Sequence, residues 1–190
     1  MRRLRPAALV VAGVIPIDLM AQERKMAYDL REVLGRSEAK VVARDHSIRT
    51  WHERWRTDTR GRWTARLIGN PSVWAGREHG EVDYYLTQFL MGHGCFTSYL
   101  YRMGKVGDLS CVFGDSDLDD AHHTFFLCDR WVPERESLEQ EIGRITPENI
   151  VEIMLSQRDY WDQVATFAKI QLFGGAICDQ VLELQTFKDS

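Results

Sequence analysis

Two cysteines and two histidines fall within 18 residues of one another near the middle of the chain, at Cys111, His122, His123 and Cys128. Thiolate sulfur and imidazole nitrogen are ligands that zinc prefers. A zinc knuckle takes two cysteines from a tight turn, and the spacing His123-x4-Cys128 fits its second half. Its first half needs Cys-x-x-Cys, and Gly114 stands in place of the second cysteine. The pattern therefore predicts Cys111, His123 and Cys128 as ligands of a weak or lost zinc site.

The fourth ligand of such a site is left open by the spacing. Water, Asp115 or Cys95 could complete a tetrahedron. A loop with reduced, buried cysteines and no metal is the alternative. Catalytic zinc is disfavoured because no glutamate stands nearby as an obvious general base.

A second candidate is a run rich in arginine and tryptophan, from Arg44 to Arg66, with only three acidic residues. Guanidinium groups pair with phosphates, and indoles stack on unpaired bases, so the mixture suits RNA or single-stranded DNA. An amphipathic helix with core tryptophans and solvated arginines explains the same pattern. The candidate phosphate contacts are Arg54, Arg56, Arg62 and Arg66, and the residues that pack or stack are Trp51, Trp55 and Trp63.

No complete catalytic site can be recognised in the sequence. The only adjacent acidic pair in the loop, Asp119-Asp120, lies in a loop segment and not at a hairpin of apolar strands, so solvated loop acids are expected there. The phosphate-binding Gly-x-x-x-x-Gly-Lys, the Gly-x-Ser-x-Gly elbow and His-Glu-x-x-His do not occur.

The elements that would position these residues are helical. Apolar residues recur at helical spacing over 17–34, with Asp18 as the expected N-cap and Gly35 as the stop. No series of alternating strands is found, so the fold class is mainly α, with helical segments flanking a short zinc-knuckle-like loop. Three parts are expected: a basic helical region 1–103, a knuckle loop 104–130 and a helical region 131–190. Further helices are predicted over 37–56, 60–68, 82–90, 96–103, 133–142, 147–155 (behind Thr146 as N-cap) and 158–173.

Composition and charge narrow the class of protein. The chain has 190 residues, is 44% apolar and carries a net charge of −4, which excludes a uniformly basic nucleic-acid protein. Residues 1–80 hold 16 Lys/Arg and 9 Asp/Glu, leaving 8 and 19 for 81–190. A secreted protein with disulfides among its four cysteines is disfavoured, because the apolar run over 7–17 lacks small residues before a cleavage site. No stretch reaches the length of a membrane span.

Five phrases of the sequence together resemble one family: AGVIPIDLMA at 12–21, GRWTARLI at 61–68, HGEVDYYLTQFLMGHGCFTSYL at 79–100, DDAHHTFFLC at 119–128 and TPENIVEIML at 146–155. They are similar to the C-terminal part of the polyprotein of type-1, ribosomal-DNA-inserting non-LTR retrotransposons. In that family an endonuclease and a reverse transcriptase precede a helical region with a Cys-Cys-His-Cys knuckle. The resemblance runs from about residue 11 to residue 169.

The resemblance implies a function and a set of partners. It matches Cys111, His123 and Cys128 to knuckle ligands, while Gly114 departs from the pattern and His122 is a bystander or a substitute. It implies a fragment that binds template RNA or target DNA in the nucleus, next to an upstream polymerase domain, with no membrane partner. The magnesium-binding carboxylates of polymerase and endonuclease have no counterpart here. The alternative is an element-derived or decayed helical protein-interaction module without nucleic-acid function.

Overall fold

The computed structural model describes residues 6–173, and every regular element among them is helical, as the sequence predicts. The chain divides into two compact units, residues 1–78 and residues 79–190. The predicted three-part division at residues 103 and 130 follows composition and stays a prediction. None of the helices in the described range is both long and apolar enough to cross a bilayer.

The first unit is built on a helical hairpin. Gly35 joins its two long helices with a φ of +79°, which a residue with a side chain rarely adopts. The ion pairs Arg54–Asp18 and Arg44–Glu23 show that the helices run antiparallel. The helices of this unit are α1 (Pro6–Val11), α2 (Ile17–Leu34), α3 (Arg36–Thr57), α4 (Arg62–Leu67) and α5 (Pro71–Ala75).

One face of α3 supplies much of the core of this unit. Residues at every fourth position are buried, which places them on one helical stripe. Small side chains at the start of the stripe allow close packing, and the Ser47 hydroxyl reaches the carbonyl of Leu19 on α2 at 3.4 Å. The buried residues of α3 are Ala39, Ala43, Ser47, Trp51 and Trp55.

The second unit centres on its last described helix, which packs against three other helices of the unit and against a π-helical turn. Phe125 stacks on Phe89 with ring centroids 3.9 Å apart and meets Phe167 edge-on at 4.9 Å. The elements are α6 (Tyr84–Met91), α7 (Thr97–Arg102), a π-helical turn (His123–Leu127), a 3₁₀ turn (Asp129–Trp131), α8 (Val132–Ile142), α9 (Ile150–Ser156) and α10 (Arg158–Phe173).

Two predicted helix starts are wrong in detail. Asp18 lies inside the first turn of α2 and pairs with Arg54, and Pro16 occupies the N-cap. Helix α9 begins at Ile150 and not at residue 147, because the Asn149 side chain accepts from the Thr146 N–H and closes a turn before the helix. The predicted N-cap residues Asp18 and Thr146 therefore make other contacts, while the two helices lie close to the positions that the apolar periodicity predicts.

Two short helices were not predicted. The apolar segment near the N-terminus contains α1, and the Gly-Asn-Pro stretch predicted as a break starts α5. There Asn70 caps the helix by accepting from the Ser72 N–H, and Pro71 occupies the first turn. Asn followed by Pro is a helix-start signal as well as a turn signal.

Candidate metal centre and basic surface

Four potential ligands converge in the second unit. The ligand atoms of Cys111, Asp115, His123 and Cys128 all lie within 4.8 Å of one another. The two cysteines and the histidine are at most 7% exposed, and the Asp115 side chain is 15% exposed. These are the three residues that the sequence predicted, together with one of its three candidates for the fourth position.

Two distances between ligand atoms in this cluster are close to those expected around a tetrahedrally coordinated ion. The Cys111 and Cys128 sulfurs are 3.9 Å apart, and His123 Nε2 is 3.1 Å from Asp115 Oδ1. Zinc–sulfur bonds of about 2.3 Å and bonds to nitrogen or oxygen of about 2.0–2.2 Å give tetrahedral edges of roughly 3.8 and 3.4 Å. The Cys₂-His-Asp set could therefore hold an ion such as zinc once the wider separations in the cluster, which reach at most 4.8 Å, shorten.

His123 Nε2 supports this interpretation independently. The atom is buried and has no hydrogen-bond partner among the described residues, although the Asp115 carboxylate is close. A buried polar atom without a partner is unfavourable. Two ligand atoms that face a common centre approach each other without the angles of a hydrogen bond, and a metal ion would satisfy both.

Two backbone features bring the ligands together. At Gly114 the chain turns with φ +79°, and the Gly114 N–H donates to the Cys111 carbonyl, so that the next residue, Asp115, folds back toward the thiol. From His123 to Leu127 the chain forms a π turn, in which the Cys128 N–H donates to the His123 carbonyl. Because a π turn closes over five residues, the side chains at its two ends lie on one side.

Neighbouring groups fix the orientation of the ligands. The Asp129 N–H donates to Asp115 Oδ2 at 2.7 Å and leaves Oδ1 directed at the cluster. An Arg135 guanidinium N–H donates to the Cys128 carbonyl at 3.2 Å. Such outer partners commonly orient metal ligands.

Burial and hydrogen bonding set the protonation of this cluster before metal binds. Burial, followed by the hydrogen bond to Asp115, raises the pKa of the Cys111 thiol to about 12, and burial also raises the pKa of Cys128. Although burial opposes its ionisation, hydrogen bonds from the Cys111 thiol and the Asp129 N–H lower the pKa of Asp115 to about 2. The metal-free cluster thus holds two neutral thiols beside a carboxylate, and metal must displace both thiol protons.

Other residues named from the sequence lie outside this cluster. The His122 ring is tilted against Phe126 with centroids 5.9 Å apart, as a bystander to the ligands. Cys95 is not among the four ligands, and Cys178 lies outside the described residues. Cys111 and Cys128 are free thiols.

Asp119 overturns the expectation of solvated loop acids. It is 7% exposed, and its carboxylate accepts from the Thr97 N–H, the Thr97 hydroxyl and the Thr124 hydroxyl. The neighbouring Asp120 accepts from the His123 N–H and so caps the π turn. These two acids hold the metal-ligand loop against α7 and have a structural role.

The tryptophans of the arginine-rich run are mostly interior. Trp51 and Trp55 are 3% and 2% exposed, and Trp55 Nε1 donates to the Ile68 carbonyl. The sequence leaves open whether these tryptophans pack in the core or stack on bases. Because Trp51 and Trp55 are buried, they pack in the core. Trp63 on α4 is half-buried and keeps part of its ring accessible.

The arginines of the same run are exposed, and most pair locally. Arg54 pairs with Asp18, and Arg56 makes two hydrogen bonds to Glu53. Exposed pairs of this kind contribute little and exchange readily for a phosphate. Arg66 is exposed on α4.

Arg62 has a different set of contacts. Its guanidinium donates to the carbonyls of Trp55, Arg56 and Asp58, which end α3. These are the contacts of a side chain that caps a helix C-terminus. Arg62 is therefore engaged in holding the turn between α3 and α4.

Comparison with known proteins gives one relevant similarity. The chain is 30% identical over 139 residues to the Retrovirus-related Pol polyprotein from type-1 retrotransposable element R1 2 of Nasonia vitripennis. The match covers 64% of this chain and 33% of that protein, so the chain spans about a third of the length of the relative. No protein-family model and no solved structure matches. The similarity supports a retrotransposon-derived region. The structure shows in addition a cluster that could hold a metal ion.

Proposed function

We propose that this chain is the C-terminal region of a retrotransposon RNA-directed DNA polymerase/endonuclease polyprotein, and that it binds template RNA or target DNA in the nucleus during target-primed reverse transcription. The observation that carries this proposal is the similarity to the R1 Pol polyprotein. The upstream polymerase domain of the same polyprotein is its expected partner.

The charge distribution favours the first unit as the one that contacts nucleic acid. Residues 1–78 hold 16 Lys/Arg against 9 Asp/Glu, whereas residues 79–190 hold 8 against 19. Nucleic-acid affinity rests largely on neutralised phosphates. The contacts in this proposal are the exposed Arg54, Arg56 and Arg66, with Trp63 as the tryptophan that keeps accessible surface.

The metal loop has a structural role in this proposal. Acidic residues flank its ligands in the sequence, including Asp108, Asp117 and Asp129, and they disfavour contact with phosphate. Zinc bound by Cys111, Asp115, His123 and Cys128 would close a loop that has little core of its own. The metal would therefore stabilise the second unit and not contact nucleic acid.

Salt dependence tests the proposal. Three phosphate contacts to a labelled single-stranded RNA give a slope of log affinity against log salt of about −2, or roughly 20-fold weaker binding between 50 and 200 mM salt. Changing Arg54, Arg56 and Arg66 to Ala together should remove most of this slope in fluorescence anisotropy. Arg62 is left intact because it caps α3.

A matched control uses three other exposed cations of the same unit. Arg24→Ala, Lys25→Ala and Arg36→Ala remove the same charge from α2 and the start of α3, and should leave most of the salt slope in place. If the first triple variant keeps its circular dichroism spectrum and binds RNA and duplex DNA as tightly as the control, the assignment to Arg54, Arg56 and Arg66 is wrong. If the folded wild-type chain binds neither RNA nor duplex DNA, a protein-interaction module is the better description, which the acidic second unit favours.

A further inference from the structure

An open groove of about 560 Å³ lies between α8 and α10 in the second unit. Leu138 and Phe167 form an apolar floor and are 6% and 3% exposed, while Ile170 at the edge is 43% exposed. Phe167 is held from behind by its edge-on contact with Phe125. The floor is therefore fixed by the core of the unit.

The walls of this groove carry charge of one sign. Glu134, Glu141 and Asp162 line it, and none of the described residues that line it is a lysine, arginine or histidine. Asp162 has a long contact of 4.0 Å with Arg158, with both side chains largely exposed. The charge of the groove is thus almost uncompensated within it.

Two buried acceptors in the groove lack donors. Glu134 Oε2 on α8 and Gln163 Oε1 on α10 are covered from solvent and have no hydrogen-bond partner among the described residues. Buried acceptors are normally satisfied, and leaving one without a donor costs free energy. Both residues line the groove, so a rotation of either side chain would offer its oxygen to an N–H donor bound there.

We propose that this groove docks a short basic amphipathic segment of a partner protein, with aliphatic side chains on Leu138 and Phe167 and Lys or Arg side chains on Glu134, Glu141 and Asp162. Complementary charge and unmet acceptors define this occupant. Nucleic acid is excluded because the three carboxylates repel phosphate. The proposal is independent of RNA binding by the first unit.

The remaining C-terminal residues of the chain do not fit this occupant. Residues 174–190 contain Asp179, Glu183 and Asp189 against the single Lys188. Their net charge has the same sign as the groove. A basic segment of another protein would carry the positive charge that residues 174–190 lack.

The test uses the full chain and a fluorescein-labelled peptide of about 12 residues, roughly 18 Å as a helix, with Leu and Arg at helical spacing. The expected result is one-to-one binding in fluorescence anisotropy. A peptide with Gln in place of Arg should bind at least about 10-fold more weakly. Equal binding of the two peptides would overturn the proposal.

Variants of the groove locate the binding. Glu134→Gln should weaken the Arg/Leu peptide about 10-fold, since one of the three negative charges that line the groove is removed. Glu141→Lys, at an exposed position that tolerates change, should weaken it about 5-fold. Ile170→Ser should weaken it about 3-fold by removing apolar contact.

The matched control is Glu136→Lys, an equal charge reversal on α8 at an exposed residue outside the groove. It should change peptide affinity by less than about twofold. Equal loss from Glu136→Lys and Glu141→Lys would mean general attraction to an acidic surface and would overturn the docking site. Absence of binding by the Arg/Leu peptide to the folded wild-type chain would overturn it as well.

Discussion

Zinc affinity should depend steeply on pH, because both thiols of the cluster are protonated before metal binds. The pKa of Cys111 is raised to about 12 and the pKa of Cys128 is raised as well, whereas Asp115, with a pKa near 2, is already ionised. Binding therefore releases two protons from sulfur between pH 7 and pH 8. Each released proton contributes a factor of ten per pH unit, so the apparent Kd should fall about 100-fold from pH 7 to pH 8.

Competition with a chromophoric chelator over this pH range measures the slope. Cobalt substitution gives a second readout, since tetrahedral cobalt with thiolate ligands has a characteristic visible spectrum. A slope of one would show that a single thiol binds the metal, and a slope of zero would refute the cluster as a thiolate site.

The variant Asp115→Asn separates the carboxylate from the thiols in this experiment. Loss of an outer partner costs about 10- to 100-fold in metal affinity, and loss of a ligand should cost more than that. The slope with pH should stay at two, because Asp115 releases no proton. Unchanged affinity in Asp115→Asn would show that water, and not Asp115, completes the site.

The same thiol protonation predicts opposite pH trends for the stability of the zinc-bound chain and of the metal-free chain. At fixed free zinc above the Kd, a 100-fold gain in affinity adds about 2.7 kcal/mol of stability between pH 7 and pH 8. The metal-free chain has thiol pKa values above the ordinary 9.0, so the stability from Cys111 and Cys128 is present below about pH 9 and is lost as pH rises toward 12. Melting curves with and without EDTA check both directions.

Two further substitutions, each with a control, test the packing. Asp119→Ala should lower the free energy of unfolding by about 1–3 kcal/mol in urea titrations, because it leaves the buried Thr97 N–H without its acceptor and removes the partner of the Thr124 hydroxyl. Asp117→Ala, at an exposed residue, should change it by less than about 0.5 kcal/mol, and equal losses would contradict the buried role of Asp119. Gly61→Ala should cost about 2 kcal/mol or more, since its φ is +66° and a Cβ would lie 2.8 Å from the Ala7 Cβ. Gly104→Ala, with the same φ of +66° but open space around the new Cβ, should cost about 1 kcal/mol, and an equal cost at both positions would mean that the contact with Ala7 relaxes freely.

The long helices could be predicted because the spacing of their apolar residues indicates which face is buried. Trp51 and Trp55 mark the core face of α3 four residues apart, and Gly35 ends α2 where a positive φ is required. The short elements could not be predicted in the same way. Asn70 begins a helix in a stretch whose composition equally describes a turn, and only the packing of Trp74, with its Nε1 donating to the Val11 carbonyl, decides between the two.

Two arginines of the arginine-rich run have different contacts that composition alone does not distinguish. Arg56 and Arg62 are both exposed and six residues apart, and the sequence assigns them one role. Arg56 pairs with one carboxylate on its own helix, whereas Arg62 reaches back across a turn to three carbonyls at the end of α3. Because that turn depends on Gly61 at positive φ, the difference between the two arginines is set by backbone geometry.

Gly114, which stands where a knuckle has its second cysteine, also explains why Asp115 is the fourth candidate ligand. A knuckle takes its second thiolate at the position of Gly114, and glycine cannot ligate through a side chain. Glycine can adopt φ +79°, however, and in doing so it turns the chain so that Asp115 faces Cys111 one residue later. The substitution therefore removes a soft ligand and supplies a hard one, giving a site with one thiolate fewer than a knuckle. Oxygen in place of sulfur shifts preference away from the softest metals while keeping zinc acceptable, so the cluster can still hold a metal ion although it lacks the second thiolate of the turn.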